Sequence, residues 1–232
     1  MKHTTLAALS IVLMACGASS DTHVNKSIYV GDGEHKNGSL RSVNGSIKVG
    51  NDATVDGNCT TVNGEISIGE NSEVGEVSCV NGSISLDRNA KAGEVATVNG
   101  PITLGGEVRV DGDVSTVNGS IQCNNGTSIA GNMQTVNGRL KLDETQIVGD
   151  IETVNGNIYL MESSLVNGNI IVDRDNKRSN GKAHKEMTIT IDEASKVKGN
   201  IEVKGDDPNV TVILAGGGEV LGEIINAKVV RK

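Results

Sequence analysis

Carboxylates recur at matching places along the chain, each just after a glycine: Glu76, Glu94 and Asp113, then Asp150 and Glu223. If those places stack at strand spacing, like charges meet and repel. A hard cation such as Ca²⁺ would relieve that, because it prefers carboxylate oxygens. Yet Asn58, Asn132, Asn169 and Asn200 interrupt the series and no calcium-loop repeat is present, so the sequence predicts a solvated edge and no metal site.

A second pattern pairs hydroxyls with amides. Ser42, Thr61, Thr97, Thr116, Thr135 and Thr153 each stand two residues before Asn44, Asn63, Asn99, Asn118, Asn137 and Asn155, with Asn81 in the same series. On one face, such rows could meet a repetitive ligand such as a glycan or ice. The other reading is structural: stacked amide side chains form a hydrogen-bonded ladder. Glycine directly after each Asn suggests a corner and favours the ladder.

A third candidate is the run RDNKRSNGKAHKEM, Arg174 to Met187. It places Lys177, Arg178, Lys182 and Lys185 on an otherwise acidic chain, a candidate anion-binding loop for lipid phosphates, glycan carboxylates or another copy. Elsewhere reactive constellations are missing. His23, His35 and His184 lie far apart and pair with no Cys at ligand spacing. No nucleophile and base can be matched, so the expectation is a protein that is not an enzyme, with no catalytic residue, metal or cofactor. Cys123 falls on an inward position and reads as core filler. Cys59 and Cys79 lie on adjacent repeats two positions out of register, which leaves a diagonal disulfide open.

What positions these residues is a repeat. Val-Asn-Gly occurs eight times, beginning at Val43, Val62, Val80, Val98, Val117, Val136, Val154 and Val166, and the first seven are spaced by 19, 18, 18, 19, 19 and 18 residues. Aliphatics recur at fixed offsets after each, as in Ile66, Ile68, Val74 and Val77. A second motif follows about twelve residues on: Val110-Asp-Gly-Asp-Val, Ile129-Ala-Gly-Asn-Met, Val148-Gly-Asp-Ile. The Val-Asn-Gly at Val166 is out of phase and belongs to this second motif, and Val172-Asp173 takes the first motif's place. Short alternating segments broken by glycine predict strands and bends. Three strands and three bends make one coil of a single-stranded parallel β-helix, and about nine to ten coils of 18 to 19 residues run from residue 26 to 232, with the basic loop inserted at about 174–187. In this reading the Val of each Val-Asn-Gly fills the interior, the Gly supplies the positive φ of a bend, and the Asn residues form the ladder. With 30 Gly, no Phe, no Trp and two Tyr, the core must be narrow and aliphatic. One coil alone cannot repay its ordering entropy, so stability must come from stacking.

The first residues, MKHTTLAALSIVLMACGASS, stand apart. Residues 1–15 read as a signal peptide, with Lys2 and His3 before an apolar stretch too short to span a bilayer. Leu13-Met14-Ala15-Cys16 resembles a bacterial lipobox. That resemblance implies lipidation of Cys16, a tether over residues 16–25, and membrane anchoring, with Gly17 after the Cys leaning toward the outer membrane of a Gram-negative envelope. The remaining chain would carry a net charge of −9, from −8 less Lys2, which makes nucleic acid an improbable partner.

The Val-x-Gly-Asp-Ile segments, the coil length and the scarcity of aromatics resemble the bactofilins, bacterial polymer-forming β-helix proteins, and the repetitive solenoid segments of surface adhesins. The resemblance implies a right-handed, triangular solenoid and self-association. Bactofilins are cytoplasmic, whereas this chain carries an export signal. The expected role is a cell-envelope scaffold or adhesin; the alternative is a module binding an anionic glycan or lipopolysaccharide through the basic loop.

Overall fold

The computed structural model describes residues 21–174, 185–205 and 209–232. These form three stacked parallel sheets of 11, 11 and 10 strands, and each strand pairs with its counterparts one coil before and one coil after. The architecture is a three-sided parallel β-solenoid of about ten turns, as the repeat predicts. Strand pairing begins already at Asp21–His23, against Leu40–Asn44, inside the stretch read from sequence as tether.

A representative coil shows why the sequence folds this way. Along Val114–Asn118 on the first side, Val114 and Thr116 point inward and are buried, Ser115 and Val117 are half-buried and Asn118 is exposed. Ile121–Cys123 on the second side buries Ile121 and Cys123. Ser128–Ile129 on the third buries Ile129. Register carries each inward residue onto its like: Val95, Val114 and Met133; Ile102, Ile121 and Leu140; Val110, Ile129 and Ile147. Each coil therefore buries its aliphatics against those above and below, and parallel strands hydrogen-bond along the whole stack.

The alternation of 18 and 19 residues has a local cause. From Val110 to Val114 is four residues, but from Val74 to Val77 and from Ala92 to Val95 only three, so two coils are one residue short at the second corner met after Val-Asn-Gly. A third short coil loses its residue elsewhere: Leu142 to Ile147 is five residues, where Leu104 to Val110 and Cys123 to Ile129 are six. Solenoids absorb such changes at corners, because the paired strands fix everything else.

Three sequence expectations need correction. The valines of Val-Asn-Gly do not fill the interior: Val43, Val62, Val80, Val98, Val117, Val136 and Val154 are half-buried and face outward, while the preceding Ser42, Thr61, Cys79, Thr97, Thr116, Thr135 and Thr153 point in. Strand alternation requires this once Cys59, Val114 or Ile151, two residues earlier, is inward. Second, the glycines of that motif do not serve mainly a left-handed bend. A Cβ on Gly100, Gly119 or Gly138 would overlap the backbone carbonyl of the glycine one coil earlier, so close approach excludes any side chain. Positive φ gathers at the corner after the second side and is carried mostly by other residues, such as Asp52, Asn71, Asn89, Glu107 and Glu144, of types that either tolerate that region or are held there by the neighbouring coils. Third, Val172 pairs with Thr153, so it belongs to the inward hydroxyl series and Asp173 takes the valine place. Val166, by contrast, pairs with Ile147 and Val197, in the second motif as expected.

Candidate functional site

The Asn series forms one continuous ladder. Each amide nitrogen donates to the side-chain oxygen of the Asn one coil earlier: Asn155 to Asn137, Asn137 to Asn118, Asn118 to Asn99, Asn99 to Asn81, Asn81 to Asn63, Asn63 to Asn44, and Asn44 to Asn25. Donor–acceptor distances lie between 2.6 Å and 3.1 Å. Asn25 is a rung the sequence pattern missed, since no Val-Asn-Gly surrounds it. The amides spend their best-directed bonds on one another, which fits a structural role.

The Thr-x-Asn array does not exist as a surface. Thr61 and Thr97 are 0 % exposed, and their hydroxyls donate inward to the carbonyls of Gly45 and Gly82. Thr116 and Thr135 do the same to Gly100 and Gly119. Cys79 occupies one of these places, with its Sγ 3.2 Å from the carbonyl oxygen of Gly64. Here the glycine column and the hydroxyl column explain each other: the corner packs too tightly for a side chain, and its carbonyls need donors from inside.

The series after the second glycine is also mainly structural. Its Asn and Asp members accept backbone N–H groups of the following coil: Asn132 binds Asp113, Asp150 binds Asn132, Asn169 binds Asp150, Asn200 binds Asn169, and Glu223 binds Asn200. Two of the glutamates, Glu76 and Glu94, fall in the shortened corners. Asn58 receives the N–H of Glu76 and donates to its carboxylate. At Glu94, partial burial and the carboxylates of Glu76 and Asp113 hold the carboxyl above its ordinary range. Among the described residues no group of three His, Cys, Asp or Glu is placed to hold a metal.

Cys59, Cys79 and Cys123 are free and buried, so no diagonal disulfide forms. Burial pushes the Cys59 thiol up to about 12 and raises that of Cys123 as well. Thiols held this firmly protonated are poor nucleophiles. His23 and His35 each lie beside an aspartate, Asp21 and Asp56, at 3.1 Å and 3.0 Å.

At the insertion the ladder changes character. The place of the next Asn is taken by Arg174, 1 % exposed, whose guanidinium donates to the carbonyl of Lys185 at 2.8 Å and of Asn209 at 3.5 Å. One cation thus ties residue 174 to residue 185, across the insertion, and both to the next coil. Sequence reasoning placed Arg174 at the start of the loop without giving it a role; the available signal was its register, 19 residues after Asn155. Lys185 is exposed at the returning edge. Lys177, Arg178, Lys182 and His184, like Cys16 and the signal peptide, lie outside the described residues. Among the described residues no helix is long and apolar enough to cross a membrane.

Comparison with protein-family models, with curated proteins and with solved structures returned no match to this chain.

Proposed function

We propose that this protein is a lipid-anchored structural element of a bacterial cell envelope, a rod that acts as scaffold or adhesin through many equivalent contacts. The observation that carries the reading is the uninterrupted stacking of three parallel sheets with side-chain ladders on two corners. Such a surface presents the same groups about every 4.8 Å, and weak contacts repeated along a rod add up by avidity. The lipobox-like Leu13–Cys16 supports anchoring at Cys16, and several acyl chains would make it stable. Leu221, Ile225 and Val229, exposed at 57 %, 37 % and 40 %, support self-association of the rods.

The test has two arms. The full chain grown with radiolabelled palmitate is expected to carry label and sediment with outer membranes, whereas Cys16→Ser is expected to be unlabelled and released. Light scattering of the lipid-free protein is expected to show mass rising with concentration; a constant monomer mass would discard self-association. A second reading rests on Arg174, a buried cation that joins residues 174 and 185, the two described edges of the basic run. In it, the basic residues Lys177, Arg178, Lys182 and Lys185 bind an anionic glycan or lipopolysaccharide. Replacing all four with Ser should abolish retention on immobilised lipopolysaccharide, and unchanged retention would rule it out.

A further inference from the structure

A solenoid of equal coils offers the same surface everywhere, so a site for one short ligand needs a break in the repeat. The corner after the second side contains one. Its outer tip is occupied by Arg88, Gly106 and Asn125 in successive coils and by Glu162 further on, but the intervening coil passes from Asp143 through Glu144 to Thr145 with one residue fewer. The missing tip leaves a notch, and Asn125 reaches across it to the Glu162 carboxylate at 3.0 Å, two coils away.

Two open grooves of about 470 Å³ and 480 Å³ meet there, sharing Gly126 and Glu144. Both lie within the size range of small-ligand sites, about 300 to 1,000 Å³. Gly126, at φ 80°, gives the shared floor no side chain. The groove on the third side is lined by Arg109, Asp111, Ser128 and Gln146. Elsewhere on that side the outward charges pair between neighbouring coils, as Lys91 does with Glu73 and Lys196 with Glu219. In the coils between, Arg109, Ser128 and Gln146 stack in register, and among the described residues their side chains have no hydrogen-bond or ion-pair partner.

We infer that this notch binds a short, neutral, hydroxyl-rich oligosaccharide. Sugar hydroxyls donate and accept at once, and the walls supply both partners: carboxylate acceptors at Asp111 and Glu144, donors at Arg109 and Gln146. The single unpaired guanidinium set against two carboxylates disfavours phosphates and uronic acids. The lining holds no large apolar side chain to anchor a peptide. With no aromatic ring to stack on a sugar face, affinity rests on hydrogen bonds alone and falls near a Kd of about 1 mM. The inference stands apart from the scaffold reading, whose test is mass and membrane attachment.

The experiment is an NMR titration of the isotope-labelled full chain with maltotetraose, chitotetraose and tetragalacturonate. At least one neutral probe is expected to shift the amides of Arg109, Gly126 and Glu144 selectively, with tetragalacturonate weaker. Inserting a single Gly after Glu144 restores the six-residue spacing and is expected to abolish the shifts. Because that insertion could disturb folding, the paired exposed changes Arg109→Ala and Asp111→Ala provide a second arm, expected to weaken binding at least about tenfold. The proposal is overturned by absence of localised shifts up to about 10 mM of either neutral probe, by preference for tetragalacturonate, or by unchanged affinity in the double variant.

Discussion

The corner at Val-Asn-Gly and the corner after the second side do the same job, turning the chain from one sheet to the next, but in opposite ways. At the first, glycine backbones approach so closely that no Cβ fits, threonine hydroxyls cap the glycine carbonyls from within, and asparagines clip together outside. Every component depends on the others, so the tripeptide is rewritten coil after coil. At the other corner the chain swings through a left-handed residue that no neighbouring backbone crowds closer than 3.4 Å: a Cβ at Gly33 would meet nothing, and one at Gly126 only the flexible Glu107 side chain nearer than that. Gly, Asp, Asn, Glu, Ser and Ala all occupy that place, and one coil dispenses with a residue. Repetition thus marks where atoms crowd, and variation marks where a surface is available for something else.

Alanine substitution separates the two corners most sharply. Gly119→Ala forces a Cβ into the carbonyl of Gly100 and should cost about 3 kcal/mol or more, the range of severe backbone clashes. Gly106→Ala meets nothing nearer than 3.4 Å and should stay within about 0.5 kcal/mol. Denaturant titration read by local hydrogen exchange measures both, since a solenoid can open in segments. Equal costs would dissolve the distinction.

A middle-sized effect tests the ladder. Asn118 both donates and accepts a rung, whereas Asn155 is seen only to donate to Asn137. Asn118→Ala should therefore cost about 1 to 2 kcal/mol and Asn155→Ala about half as much, at roughly 1 kcal/mol per net hydrogen bond. Amide exchange in the flanking coils resolves the difference.

The smallest effect concerns charge. The raised carboxyl of Glu94 means that the folded state holds its proton more tightly than the unfolded chain does. Folding is therefore favoured below the ordinary glutamate value, and that advantage is lost as pH rises through the folded value. Glu94→Gln should stabilise the protein near neutral pH by no more than about 0.5 kcal/mol, because solvent screens the site, and the gain should vanish toward pH 4, near the ordinary glutamate value. Melting temperatures of the two proteins across that window check it.

How legible this was follows the same division. Coil length, three strands per coil, the Asn ladder and the misphased Val166 were readable, because stacking converts a sequence period directly into vertical columns. The facing of Val117 was not: it is the more hydrophobic neighbour of Thr116, so hydrophobicity points the wrong way. What decides is that a buried hydroxyl finds the Gly100 carbonyl one coil away, a partner only three-dimensional register reveals. Arg174 was hidden for a related reason, since a cation at the edge of a basic run looks solvated until its burial is seen. The notch at Glu144 was present as an 18-residue interval, but identical intervals at Glu76 and Glu94 fall on another corner, and arithmetic alone cannot tell the edges of a triangle apart.

Arg174 also sets a mechanical boundary. Up to Asn155 the outer edge is laced by amides that resist peeling one turn from the next; past it a lone guanidinium grips two carbonyls. Under load the coils from Met187 onward are expected to open first, and a crack advancing from their side should arrest where the amide lacing begins.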